Sequence, residues 1–488
     1  MTAPCPSPAA SADASPDPLP LIQQWLAHPG AHVHLMGIGG IGMAGLARLL
    51  AAQGQVVDGC DAAQPHTLAG LKACGIPVVV GHSPDHLQGI DWAIYSPALA
   101  QDHPERQAAC KRGLFCCRRG EVLPVLASRH RTLAVAGTHG KTTTSAMLTR
   151  ILRETNADPS WCIGGELPPD GAPAGIGHSP WLVIEADESD GTLARYAPEL
   201  ALVTNIEFDH MEHFSGPDGL HDCFRAFLHQ TTGSALVCAD DPVAARLGLE
   251  VHAQSYGFAS DADWRLADPE YFSDHSRFML HPPAGAPAVA VEIPLGGRHN
   301  LLNAAGAIAA AATVCKIPVP AAATALCAYA PPRRRFEHIA EAHGIHLLAD
   351  YAHHPTEIRA LLSAVRQAGA RRILAIFQPH RHTRTRALGP AFPPAFAAAS
   401  EVFLLPVYAA SEPPIPGGTS GDLLPLFRAD SSAPPVHLLP DFPSAVHAME
   451  TRWQPGDWIL LIGAGSIEDL APPLRQRLLA LSTSETTP

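Results

Sequence analysis

The chain has 488 residues, 47% of them hydrophobic and 16% charged, with a formal net charge of -13. At roughly 100–200 residues per domain, this length suits two to four domains with full apolar cores. It excludes a disordered or fibrous chain. The acidic balance argues against a general nucleic-acid binder. No apolar run is long enough to span a membrane, and the opening MTAPCPSPAASADASPDPLP is unlike a secretory signal. The eleven cysteines form no CxxC pair and read as reduced thiols of a cytoplasmic protein.

Residues 1–20 are mostly Pro, Ala, Ser and Asp and read as a disordered tail. Beyond them, short apolar runs alternate with alanine-rich amphipathic stretches: 33–36 before 42–52, 132–136 before 142–154, and 372–377 before 391–399. That alternation predicts parallel α/β units. Motif blocks and proline-marked breaks divide the chain into domains at 21–130, 131–331 and 332–488.

In the first block, a strand over 32–36 runs into Gly37-Ile38-Gly39-Gly40-Ile41-Gly42 and then a helix. This is G-x-G-x-x-G between a strand and a helix, where glycines admit a pyrophosphate to the backbone and the helix N-terminus favours its charge. Asp61 lies 19 residues after Gly42, the expected place for a ribose-hydroxyl acceptor. The motif is equally compatible with NAD and with a nucleotide-diphosphate sugar.

In the second block, a strand over 133–136 meets Gly137-Thr138-His139-Gly140-Lys141-Thr142-Thr143-Thr144 and a helix. Backbone N–H groups there can wrap a β-phosphate, Lys141 adds a point charge, and a hydroxyl can reach Mg²⁺. Val135 stands where the common spacing has its first Gly, but the strand, the Gly-Lys-Thr core and the helix are all present. Lys141 is one of only four lysines, which suggests that this position needs an ammonium. Two further apolar runs end in acidic stretches, Glu185-Ala186-Asp187-Glu188-Ser189-Asp190 and Ile206-Glu207-Phe208-Asp209-His210. Uncompensated carboxylates so close would repel one another, and a bound divalent cation is an economical remedy.

In the third block, Arg333-Arg334-Arg335-Phe336 precedes a strand that ends in Asp350-Tyr351-Ala352-His353-His354. No third ligand is spaced to make the His pair a zinc site. A strand over 373–377 then exits into Gln378-Pro379-His380-Arg381-His382-Thr383-Arg384-Thr385-Arg386. Forked arginines at a strand exit suit capture of an amino-acid carboxylate.

Taken together, GTHGKTTT, EADESD, TNIEFDHM, GRHNLLNAAGAIAAA and FQPHRHTRTR resemble the Mur ligases of peptidoglycan synthesis, over about residues 31–470, and in particular the alanine-adding branch. The resemblance implies three α/β domains: a Rossmann-like first, a P-loop-type ATPase with a parallel sheet, and a Rossmann-like third. It implies ATP-dependent joining of L-alanine to the carboxylate of UDP-N-acetylmuramate through an acyl phosphate. Gly137, Thr138, His139, Gly140, Lys141, Thr142, Thr143, His299, Asn300, Asn303, Arg335 and Asp350 would hold ATP, with Thr142, Glu185 and His210 around Mg²⁺. Gly37, Gly39, Gly40, Gly42 and Asp61 would hold the UDP-sugar. His380, Arg381 and Arg384 would surround the amino acid, and Lys141, His210, Arg335 and His353 would act in catalysis. Some relatives hold a second Mg²⁺ on a carbamylated lysine, but no lysine lies between Lys141 and Lys316. The implied partners are these small molecules alone, for a monomer or homodimer.

Within that class, a ligase that recycles an intact tripeptide is the alternative, and the arginine-dense run favours the smaller acceptor. An NAD-dependent oxidoreductase would use the first glycine turn but leave the lysine loop and the acidic stretches unexplained. A silent nucleotide-binding regulator would not need Lys141, Glu185 and His210 together.

Overall fold

The computed structural model describes residues 17–62, 67–209 and 213–481. Of the expected tail, residues 1–16 lie outside the described residues. Leu19 and Pro20 are helical, because α1 (Leu19–Leu26) buries Ile22 and Leu26.

The first sheet contains β1 (His32–Met36), β2 (Val56–Asp61), β3 (Val78–Val80), β4 (Trp92–Tyr95) and β5 (Phe115–Arg118), all parallel, in the order β3-β2-β1-β4-β5. The order reverses beside β1, and α2 (Ile41–Ala52) follows β1 directly. In open parallel sheets, ligands bind outside the carboxyl ends of the strands at such a reversal. The sheet is flanked by α3 (Leu68–Ala73), α4 (Pro104–Lys111) and α5 (Arg119–Ala127).

The second sheet has ten strands: β6 (Arg131–Ala136), β7 (Ser160–Leu167), β8 (Ala172–Gly175), β9 (Trp181–Glu185), β10 (Leu200–Val203), β11 (Ser234–Cys238), β12 (Gln254–Gly257), β13 (Trp264–Tyr271), β14 (Ser276–His281) and β15 (Val289–Ile293). Their order is β15-β14-β13-β12-β11-β10-β6-β9-β7-β8. The central β6 is buried over five of its six residues, as a parallel strand covered on both faces must be. It leads into α6 (Lys141–Glu154), and its neighbours are β9 and β10, so the two acidic stretches leave the sheet on either side of the lysine loop. Farther on come α7 (Pro217–His229), α8 (Pro242–Glu250), α9 (Arg298–Thr313) and α10 (Val319–Leu326).

The third sheet, β16 (Glu337–Ala342), β17 (Ile345–Asp350), β18 (Arg372–Phe377), β19 (Glu401–Leu404), β20 (Val436–Leu438) and β21 (Asp457–Ile462), runs β16-β17-β21-β18-β19-β20 and is parallel except for β16. α11 (Pro355–Gln367) follows β17. The helix expected over 391–399 is not formed as such. Instead α12 (His382–Leu388) begins inside the arginine run, and only the short α13 (Phe392–Ala395) follows. Pro390, Pro393 and Pro394 lack the N–H groups a continuous helix there would need.

The chain divides into two compact units. One carries the first sheet and most of the second. The other carries the third sheet together with Asp268–Phe278 and Glu292–Leu301.

Candidate active site

In the first unit, the lysine loop is held from the side of β10. Thr138 Oγ1 donates to the Glu207 carbonyl at 2.9 Å and accepts from the Glu207 N–H at 2.9 Å. The His139 N–H donates to Asn205 Oδ1 at 2.8 Å, and Asn205 Nδ2 donates to the His139 carbonyl at 2.9 Å. The His139 ring meets Glu207 at 2.9 Å. Gly137 has φ of +130°, and a Cβ there would lie 2.1 Å from Thr204 Oγ1. Gly140 has φ of +81°, and a Cβ would lie 2.6 Å from Asn303 Oδ1. Both positions therefore need glycine for conformation and for space.

The Lys141 ammonium donates to the Gly137 carbonyl at 2.5 Å and to the two Glu188 carboxylate oxygens at 3.0 and 2.8 Å. Burial opposes its charge, yet Glu188, then Asp187 and Glu185, outweigh burial and raise its pKa. The cation is thus preformed and aimed at the head of α6, where Thr142 and Thr143 are buried and backbone N–H groups are free of helical partners. The acidic stretch after β9 is compensated by protein groups as well as by any ion. Glu188 takes Lys141, Asp187 faces Arg119 at 3.8 Å, Asp190 accepts from the Thr192 N–H at 3.0 Å, and Glu185 accepts from the Gly164 N–H at 2.7 Å. Glu185 pairs in register with Val135 of β6, beside the loop. The Thr142 hydroxyl and the carboxylates here are hard oxygen donors, a set that fits Mg²⁺. His210 lies outside the described residues.

At the glycine turn after β1, Gly37 has φ of +78°, and a Cβ there would press on Ser96. The Gly37 and Ile38 N–H groups donate to the Cys60 carbonyl. Asp61 accepts from the Gly39 N–H at 2.9 Å, so its carboxylate braces the turn. Gly40 precedes α2, and a Cβ on Gly42 would collide with Arg119. Arg119 therefore lies between this turn and Asp187.

In the second unit, the predicted residues gather at the carboxyl ends of β17 and β18. Asp350 accepts from the Phe336 and Ala352 N–H groups, both at 2.8 Å. Burial raises its pKa, and the Arg335 charge opposes that rise. Arg334 and Arg335 lie over the Tyr351 ring, and Arg334 also donates to the Gly463 and Gly465 carbonyls. His353 Nδ1 lies 3.0 Å from the Tyr351 carbonyl and 3.4 Å from Glu357. His380 stacks on Tyr408, faces the His353 ring at 5.7 Å and meets Arg384 Nη1 at 3.2 Å. Burial, then the charges of His353, Arg384, Arg381 and Arg334, push its pKa down to about 3, so it is neutral. Arg381 has φ of +65° at the head of α12. A positive φ is uncommon for a non-glycine residue and marks local backbone strain. On the opening turn of α9, Asn300 Nδ2 donates to the Gly296 carbonyl at 2.8 Å. His299 there is pushed by burial down to about 4, with Glu357 opposing.

Sequence reasoning passed over Glu188, Thr204, Asn205, Arg119, Arg334 and Tyr408 as individual groups. The first three sit in acidic or polar strand exits that the sequence does mark. The last three are recognisable only once distant elements meet.

A phosphate loop between two acidic strand exits defines a nucleotide-phosphate-using α/β enzyme. Profiles described as Mur ligase family, catalytic domain; Mur ligase middle domain; and Mur ligase, glutamate ligase domain match residues 32–131, 135–311 and 334–465. The chain belongs to the Mur ligase family. It is 39% identical to the UDP-N-acetylmuramate--L-alanine ligase of Thermobifida fusca, over 91% of this chain and 96% of that protein. It is 42% identical to that of Kineococcus radiotolerans, over 90% and 94%. Among solved structures, it is similar to the UDP-N-acetylmuramate-alanine ligase of Thermotoga maritima, with a TM-score of 0.79, 25% identity, and coverage of 92% and 99%.

Proposed function

We propose that this chain is an ADP-forming ligase that joins L-alanine to the carboxylate of UDP-N-acetylmuramate, in the cytoplasm, for peptidoglycan precursor synthesis. The observation that carries the reading is the preformed Lys141 cation, tethered by Glu188 in a glycine cradle at the head of α6. The similarity to alanine-adding relatives over nine-tenths of the chain supports the choice of substrates.

The sugar carboxylate attacks the γ-phosphorus and ADP leaves. The alanine amine then attacks the acyl phosphate carbon, losing a proton, and phosphate departs. A free carboxylate is a poor electrophile, so the chemistry needs both a phosphate cradle and an acceptor clamp. Lys141, with Gly137, Thr138, His139, Gly140 and Thr143, binds the phosphates, and Arg335 offsets the charge that develops on transfer. Asp350 binds the ribose, and His299, Asn300 and Asn303 the adenine side. Gly37, Gly39, Gly40, Gly42 and Asp61 bind the UDP moiety. His380, Arg381 and Arg384 clamp the alanine. His353, whose Nδ1 faces the Tyr351 carbonyl and Glu357, takes the amine proton. Thr142, Glu185 and His210 would hold Mg²⁺, which when bound would supply charge neutralisation to the phosphates. The functional modules are 21–130 for the UDP-sugar, 131–331 for ATP and 332–488 for the amino acid.

The test is phosphate release from ATP with UDP-N-acetylmuramate and, in turn, L-alanine, glycine, L-serine and a murein tripeptide. L-alanine is expected to give the highest kcat/KM, and Lys141→Ala to lower it by about 10²–10³-fold. A preference for the tripeptide, or full activity in Lys141→Ala, would refute the reading.

A further inference from the structure

The first sheet has a polar patch on one face that the ligation chemistry does not use. Along β1 the residues alternate: Val33 and Leu35 enter the main apolar core, while His34 and Met36 face the other way. Beside His34 on β2 lie Asp58 and Cys60, and over this face pack the 3-10 turn Pro84–Leu87 and α4. These elements bring His34, Cys60, His86 and Glu105 together, with one ligand atom of each within 4.8 Å of all the others. His82 and His103 close around Glu105 in the same way.

The inner atoms are tightly spaced. His34 Nε2 is 3.3 Å from Cys60 Sγ and 3.4 Å from Glu105 Oε1. Cys60 Sγ is 3.1 Å from Glu105 Oε2, and His86 Nδ1 is 3.0 Å from Glu105 Oε1. Ligands of a tetrahedral zinc ion, at about 2.0–2.3 Å from the metal, stand roughly 3.3–3.7 Å from one another. These four separations need to open by only a few tenths of an ångström, and the His86 atom lies within 4.8 Å of those of His34 and Cys60. His34, Cys60 and Glu105 are at most 1% exposed.

Two further observations point to an ion rather than to proton sharing alone. His34 Nδ1 is fixed by Asp58 Oδ1 at 2.6 Å, leaving Nε2 aimed into the cluster. A carboxylate behind a ligating histidine is the usual way to set its tautomer and orientation. His103 Nδ1 is buried without a hydrogen-bond partner among the described residues, although its ring lies edge-on to His82 at 4.5 Å. A buried nitrogen left over beside a histidine-rich cluster is a donor in excess of what the hydrogen bonds use.

We propose that His34, Cys60, His86 and Glu105 form a structural site for a zinc-type divalent cation, with Asp58 orienting His34 and with His82 and His103 lining its rim. A thiolate and imidazoles select a late first-row metal over Mg²⁺, so this site and the phosphate loop take different ions. Binding forms metal–ligand bonds and releases to solvent both the Cys60 thiol proton and the proton on His34 Nε2. Because the Cys60 carbonyl receives the Gly37 and Ile38 N–H groups, the ion anchors the strand end from which the glycine turn hangs.

The full chain, stripped with a chelator and free of nucleotide, is titrated with Co²⁺ and then with Zn²⁺. The expected result is one Co²⁺ per chain, with a thiolate-to-cobalt charge-transfer band and intense tetrahedral visible bands, both erased by Zn²⁺. Cys60→Ser is expected to abolish the charge-transfer band. Asp58→Asn is expected to keep the band and weaken binding by about 10–100-fold. Near-ultraviolet circular dichroism checks that each variant is folded. The wild-type titration decides independently of the variants: no band, or a band that survives Cys60→Ser unchanged, overturns the site and leaves a metal-free hydrogen-bond network.

Discussion

His299 and His380 show how single residues tie this fold to pH. Burial pushes His299 down to about 4, and burial with neighbouring cations pushes His380 down to about 3. In the unfolded chain an imidazole titrates near ~6.5. Between that pH and the folded values, the unfolded state binds more protons. Stability is therefore fully present above about pH 6.5 and falls as the pH drops toward about 4. Both rings are half-buried, so each contributes on the order of 1 kcal/mol at the acid end. Urea midpoints measured from pH 7.5 down to 4.5 should fall more steeply in the wild type than in His299→Gln. Parallel slopes would show that His299 carries no such linkage. At the same scale, Lys141 illustrates a group whose role the sequence marks and whose holding the fold decides. The Gly-Lys-Thr core is visible in the chain, whereas the tie to Glu188 needs β9 to lie beside β6.

At the scale of elements, α2 does two jobs. Its N-terminus carries the glycine turn, and its flank packs on β7 and β8, where Gly45 faces Cys162 Sγ. A Cβ at Gly45 would sit 2.9 Å from that sulfur and 3.7 Å from Ala174. Overpacking of a filled contact costs typically about 1–3 kcal/mol. Gly45→Val should therefore lower the denaturation midpoint by that amount, and it should raise the KM for the sugar nucleotide more than that for ATP, because the displaced helix carries the glycine turn. Unchanged stability would show that the contact can relax. Nothing local in the chain marks this contact, since a mid-helix glycine reads only as a weak helix former. The arginine run tells a similar story. Its composition raises the expectation of an acceptor pocket, but its helical start at His382 and the positive φ of Arg381 follow from packing against Gly418 and Tyr408, 36 and 27 residues on.

Over the whole molecule, one continuous apolar cluster runs through the first two sheets, from Ile22 to Leu247, while a separate cluster from Ile345 to Leu478 fills the third. The break expected near residue 130 thus crosses a shared core. Separate cores favour separate melting. Calorimetry of the ligand-free chain should give a van't Hoff enthalpy below the calorimetric one. Phe224→Ala, costing about 3–5 kcal/mol, should lower one transition, and Leu461→Ala, costing about 2–5 kcal/mol, the other. A single transition shifted equally by both would refute two cooperative units.

The sequence by itself determined the α/β class, the two phosphate-type turns and the acidic and arginine-rich strand exits. Each of these is a local property of spacing and residue type. Only the tertiary structure decided which carboxylate holds Lys141, that Arg119 lies between the glycine turn and Asp187, and that His34, Cys60, His86 and Glu105 converge. Those partners are 47, 68 and up to 71 residues apart along the chain. Parallel pairing and helix packing bring them together, and no local pattern of side chains encodes such distances.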